Sequence, residues 1–266
     1  MAEIQVPEIV NNYLLFCNYR ERAKSTKKID LSWCNWLFPT TLLPLGVFIK
    51  KNKSMKYLPP HNQNVANYVD LVTGKITLED AENKSYLPCV YLPKNRKEAT
   101  DILECIFRLH NNGKEYGGET VFKYLVGELV DNIYEHSEFE NALVMAQRYD
   151  QKGFVEICFF DDGITIPGSF KKQGMIFEDQ QAIMEAVNGL STKSKERGFG
   201  LSSNMTIFTK GMDGKVFIVS GRGAVYVGKS RQKVYKLQDQ HRLEGTLISI
   251  RIPVPAPKVN IYDYLN

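Results

Sequence analysis

Apolar positions along this chain recur in blocks, some at helical spacing and some in strand-like alternation. The first ~25 residues have helical spacing and run into a polar, basic stretch over 20–28. A short strand is expected at 29–32. A helix follows over 40–50, with Leu42, Leu43, Leu45, Val47 and Phe48 apolar and Pro44 in its first turn. A second strand over 55–60 and a helix over 65–72 complete a β-α-β-α pattern. These elements form a small N-terminal α/β unit, residues 1–85, with the polar stretch 74–85 as its join to a larger unit, residues 86–266.

The larger unit is patterned differently. An apolar run over 87–92 precedes two amphipathic helices over 98–110 and 119–137. Strand-like runs follow over 142–149, 154–160, 215–220, 224–228 and 246–252. Between the second and third of them, 168–197 reads as a helix flanked by mobile loops. Helices on one side of a mixed sheet give an α/β sandwich.

Composition narrows this picture only slightly. The chain has 266 residues, of which 43% are hydrophobic and 24% charged, so it can bury a core and is not a disordered or fibrous chain. Its net charge is +4, from 34 basic and 30 acidic residues, too small an excess to identify a nucleic-acid binder. Five cysteines at wide spacings form no C-x-x-C pair, which points to reduced, buried thiols in a cytoplasmic protein. The most apolar stretch, 36–49, is short and broken by Pro39 and Pro44, so no membrane span is expected.

Four local patterns carry candidate chemistry. On the helix Glu128-Leu-Val-Asp131-Asn132-Ile-Tyr-Glu135-His136, a wheel places Glu128, Asp131, Asn132 and Glu135 on one stripe. Glu128 and Asn132, four apart, reach one small volume. The apolar strand Phe159-Phe160 runs straight into Asp161-Asp162-Gly163-Ile164-Thr165-Ile166. A carboxylate there can accept from an exocyclic amine, which adenine offers and guanine replaces by a carbonyl. The basic stretch Thr192-Lys193-Ser194-Lys195-Glu196-Arg197-Gly198-Phe199-Gly200-Leu201 brings glycines and positive charge to a helix start, a setting suited to phosphate. It is neither a Walker A loop nor a dinucleotide fingerprint. Last, Gly245-Thr246 heads an alternating terminal strand. Each pattern alone is equally an ordinary helix face, Asp-Gly turn, solvated loop or strand.

Taken in order, they resemble the GHKL ATPase superfamily of gyrase-type topoisomerases, MutL, histidine kinases and anti-sigma-factor kinases. The resemblance covers about 87–253. ELVDNIYEH is similar to the N box, DDGITIP to the G1 box, RGFGLSS to the G2 box, and GTLISIRIP to the last strand. The N-terminal unit faintly resembles a STAS segment. The resemblance implies a Bergerat-type α/β sandwich binding ATP and Mg²⁺. Asn132 would hold Mg²⁺, Glu128 would act as general base, and Asp161 would bind the adenine amine. Gly163 would admit the base, Thr246 would join its network, and Asp131 and Ile166 would line the site. Gly198 and Gly200 would cradle phosphates, Phe199 and Leu201 would belong to the nucleotide site, and Thr192 and Lys193 are candidate phosphate contacts from a lid over 168–197. His136 is given a structural role. Thr165 stands where the G1 box has its second glycine. A protein partner, as regulator or phosphoacceptor, is implied, and a homodimer is open. So is association with nucleic acid, through the basic residues between Arg222 and Arg251.

Overall fold

The computed structural model describes residues 6–73, 86–109, 111–190 and 200–264. Seven strands make one sheet in the order β3-β4-β5-β9-β6-β7-β8. They are β3 (Tyr86–Tyr91), β4 (Ala142–Tyr149), β5 (Phe154–Asp161), β6 (Lys215–Gly221), β7 (Gly223–Val227), β8 (Gln232–Lys236) and β9 (Leu243–Pro253). Every neighbouring pair is antiparallel. The sheet is therefore not mixed, as the sequence had suggested. Short reversals join β4 to β5, β6 to β7 and β7 to β8, and a tight connection can only pair strands antiparallel. Parallel pairing is confined to a separate two-stranded sheet, β1 (Lys28–Asp30) with β2 (Lys56–Leu58).

β8 has no counterpart in the sequence reading. Its Gln-Lys-Val-Tyr-Lys alternation lacks an apolar face, and its residues are exposed or half-buried. Lysines on an outermost strand discourage pairing with another chain, which hides such a strand from hydrophobicity patterns.

Alternation along the central strands gives the sheet two apolar faces. On one, Val144, Ala146, Ile157, Phe159, Ile218, Ile248 and Ile250 pack with α4 (Ala99–Leu109), α5 (Glu119–His136) and α8 (Gly200–Thr206). On the other, Leu143, Met145, Cys158, Phe160, Phe217, Val219 and Leu247 pack with residues of α1 (Glu8–Thr26), α2 (Pro39–Lys51) and α3 (Gln63–Val72). The N-terminal segment forms the expected β-α-β-α elements, yet its buried side chains belong to one core with the sheet. It is the third layer of a sandwich, laid on the sheet's back face. α2 begins at Pro39, whose fixed φ and missing N–H suit a first helical position, so Pro44 falls inside the helix rather than in its first turn.

A buried polar network fixes this layer. Glu156 of β5 is 0% exposed and lies at the N-terminus of α2. Its Oε1 accepts from the Thr40 N–H (3.0 Å) and hydroxyl (2.6 Å), and its Oε2 accepts from Arg251 Nε (2.8 Å). A carboxylate is favourable there because the first-turn N–H groups lack helical partners and carry the positive end of the helix dipole. Arg251 also pairs with Glu8 in the first turn of α1 and stacks near Phe38 and Phe154. Cys17, Cys34 and Cys158 are buried thiols.

Glu156→Ala leaves buried Arg251 with Glu8 as its remaining counter-charge and the Thr40 N–H without its acceptor. Stability should fall by about 3 kcal/mol, measured by urea unfolding; a change within error of zero would refute this role.

Candidate functional site

Asp161 ends β5 directly opposite Thr246 of β9, which in turn faces Ser220 of β6. These three form one cross-strand row, on the helix side of the sheet, beyond an apolar row of Phe159, Ile248 and Ile218. Ser220 Oγ and Thr246 Oγ1 are 2.9 Å apart, and Ser220 also accepts from the Ile166 N–H at 2.8 Å. The row thus puts acceptors and hydroxyls where the strands stop and the core gives way to a cleft.

The cleft encloses about 900 Å³, open mouth included. Asp161 and Thr246 form its floor. Asn132, Ile133, His136 and Ser137 of α5 make one wall, and Ile164, Thr165, Ile166 and Phe170 another. Leu190 and Leu201 close a third side. Most of this lining is apolar, so the few polar groups set orientation.

Asp161 is 4% exposed. Burial pushes its carboxyl up to about 7, against the Gly163 N–H bond that lowers it, while the charge of adjacent Asp162 raises it further. The Gly163 N–H lies 3.1 Å from Oδ1. Ser137, at the C-terminal cap of α5, has a buried hydroxyl close enough to Asp161 to draw its carboxyl down. One carboxylate offers about four acceptor positions, so Asp161 retains capacity toward the cleft.

Two glycines let the chain close around this carboxylate. A Cβ on Gly163 would lie 1.9 Å from the Ser137 carbonyl oxygen, because the turn after β5 docks on the end of α5. Gly245 has φ +98°, and a Cβ there would lie 1.9 Å from the Asp161 carbonyl oxygen. No other residue fits both conditions at 245.

Of the residues singled out in the sequence, Asn132, Asp161, Ile166, Leu201 and Thr246 line the cleft together, and Gly163 forms its turn. Glu128 is half-buried one turn before Asn132, outside the cleft wall. Asp131 pairs with Arg96 at 2.5 Å, away from the cleft. Gly200 opens α8. Thr192, Lys193, Gly198 and Phe199 lie outside the described residues.

The stretch expected as a single helix with mobile flanks contains two helices, α6 (Ile166–Lys172) and α7 (Asp179–Val187). α7 is anchored: Ala182 and Ile183 are buried, and Asp179 accepts from the Arg222 N–H at 2.6 Å. Thr165 caps α6, its hydroxyl accepting from the Gly168 N–H at 3.0 Å. Thr165 therefore has a local structural role as an N-cap.

Sequence reasoning did not find Ser137 and Ser220, and it gave His136, which lines the cleft, no place there. Ser220 is visible only through strand register, since nothing local connects it to Thr246. Four of the seven basic residues between Arg222 and Arg251 have acidic partners. Arg222 pairs with Asp239, Lys229 with Asp213, Lys236 with Glu178, and Arg251 is buried on Glu156. Among the described residues there is no cluster of three or more His, Cys, Asp or Glu side chains suited to a metal. No helix among them is long and apolar enough to cross a membrane.

No protein-family model matches the chain, and no curated protein matches it significantly.

Between its ordinary value of 3.8 and about 7, Asp161 holds a proton in the folded state that the unfolded chain has released. Its contribution to stability therefore falls as pH rises through this window and is constant above it. The melting temperature of Asp161→Asn relative to wild type should climb between about pH 4 and 7 and then level off. A pH-independent difference would count against a proton on Asp161. Gly163→Ala should cost about 2 kcal/mol of stability through the clash with Ser137, read by thermal unfolding.

Proposed function

We propose that this chain is an ATP-binding protein of GHKL type with a Bergerat-type fold. With Mg²⁺ it hydrolyses ATP or passes the γ-phosphate to a partner protein in a signalling or partner-switching role. One observation carries the reading: a buried carboxylate, Asp161, forms the floor of an apolar cleft beside Thr246, with Asn132 on the opposite wall. An adenine edge on that floor would donate its amine to Asp161, while Ile133, Ile166 and Phe170 cover its faces. A guanine would set its carbonyl against the carboxylate, an acceptor against an acceptor.

The triphosphate would leave the cleft past Asn132. An amide oxygen is a suitable hard ligand for Mg²⁺, which usually keeps several waters and the substrate's phosphates in its shell. When bound, the ion would neutralise charge on the phosphate oxygens. Glu128, one helical turn from Asn132, would orient or deprotonate the attacking water or hydroxyl. Gly198, Phe199, Gly200, Thr192 and Lys193 would contact phosphates, with Leu201 packing beneath.

A second reading, a nucleotide-gated interaction module with little turnover, is favoured by Thr165. It stands where the G1 box has its second glycine, and its hydroxyl caps α6.

Binding and fate of γ-labelled ATP separate the two. Wild type should bind Mg-ATP, and Asp161→Asn should weaken binding about tenfold or more. Glu128→Ala should keep binding while label stays on ATP. Release of phosphate at the wild-type rate from Glu128→Ala would remove Glu128 from catalysis; no release from wild type, alone or with partner proteins, would favour the gated module.

A further inference from the structure

The N-terminal layer touches the sheet beside the residues that form the floor of the cleft. α2 ends on Lys50 and Lys51, and the Lys51 ammonium lies 2.7 Å from Asp162 Oδ2. The Asp162 side chain is only 2% exposed. Its other bonds come from one corner between α5 and β4. Oδ1 accepts from the N–H groups of Glu140 (2.9 Å) and Asn141 (2.6 Å), and Oδ2 from Asn141 Nδ2 (2.8 Å). Lys50 in turn donates to Asn141 Oδ1 at 3.2 Å. The backbone completes the clasp: Asp162 N–H bonds to the Asn141 carbonyl, and Ile164 N–H to the Ser137 carbonyl.

Burial alone would push the Asp162 carboxyl up, but Lys51 and the Asn141 donors outweigh it and hold it below its usual range. Among the described residues, Lys51 is the cation within ion-pair distance of Asp162. α1 grips the other flank. The Tyr13 hydroxyl donates to the His241 carbonyl (2.7 Å), and Arg20 to the carbonyls of Gln240 and Arg242 (2.6 Å each), just ahead of Gly245 and Thr246.

We propose that Lys51 is a positioning residue for the cleft: by neutralising Asp162 it holds the turn 161–164, and with it Asp161 and Gly163, in the geometry that receives a base. Docking of the N-terminal layer thereby sets nucleotide affinity. This rests on the ATP reading above. An exposed ion pair would matter little, but this one has a buried carboxylate. Without its cation that carboxylate must take up a proton or carry the turn toward water. A shift of about 1 Å at a positioning turn is enough to misalign a bound group.

The test uses the full chain with Lys51→Met, Lys51→Arg, Asp162→Asn and the Lys51→Met/Asp162→Asn pair. ATP affinity is measured for each, and backbone amide exchange without nucleotide. Lys51→Met should weaken ATP binding about tenfold and speed exchange at Asp162, Gly163 and Ile164 to a similar degree, with β7 unchanged. Lys51→Arg should stay within about twofold of wild type. In the Asp162→Asn background, Lys51→Met should cost nothing further. Wild-type affinity and exchange in Lys51→Met, failure of Lys51→Arg to rescue, or a full additional loss in the Asp162→Asn background would each overturn the proposal. If wild type binds no ATP, the ATP reading fails, and the positioning of the turn is decided by exchange alone. In that case unchanged exchange overturns it and faster exchange at the turn sustains the clasp.

Discussion

Two adjacent carboxylates at the end of β5 face opposite layers, and much of the structure is arranged around keeping both there. Asp161 lies on the helix side, at the floor of a largely apolar cleft, where its charge is poorly solvated. Asp162 lies on the N-terminal side, where Lys51 and the Asn141 corner satisfy it. Strand alternation forces this division, since consecutive side chains cannot share a face. The result is one stabilised carboxylate and one perturbed carboxylate in a single dipeptide. Perturbation by burial together with a nearby like charge, in a cleft, makes Asp161 a candidate functional carboxyl.

The same division explains why the N-terminal segment packs on the sheet. A sheet with two apolar faces must be covered on both. α4, α5 and α8 cover one face; α1, α2 and α3 cover the other. Within that back interface, Glu156, Thr40, Ser249 and Arg251 form a buried polar network that only one docking geometry satisfies. Such a network adds less net stability than apolar packing would, but an alternative register would leave several of its groups unpaired. It therefore sets where α2 lies, and so where Lys51 meets Asp162.

The cleft takes its form from the ends of elements. Asp161, Thr246 and Ser220 stand at the ends of three central strands, and Ser137 stands at the end of α5. Core packing stops at this edge, so these buried polar side chains have one another and the cleft as neighbours. Gly163 and Gly245 allow the backbones of β5, β9 and α5 to approach more closely than any Cβ would permit. The poorly solvated Asp161 is a local cost that the surrounding core sustains, a pattern common where a site rather than a fold is being served.

Local pattern alone settled the strong elements. The range of α5 follows from amphipathic spacing and that of β4 from an apolar run buried on both faces, and the β-α-β-α order of the N-terminal segment follows from its successive apolar blocks. Asp161, Asn132 and Thr246 were legible as candidates because residue type and neighbours carry that information. Whether they meet was decided by tertiary structure: antiparallel pairing sets Asp161 against Thr246, and α5 crosses above them. Ser220 and Ser137 gave no local signal, since their place depends on strand register and on where a helix stops. The antiparallel sheet and the edge strand β8 also escaped, because pairing direction is a property of connections and edges rather than of side-chain period. The Lys51–Asp162 contact joins residues more than a hundred positions apart. No spacing along the chain could announce it; it exists because the second face of the sheet had to be covered.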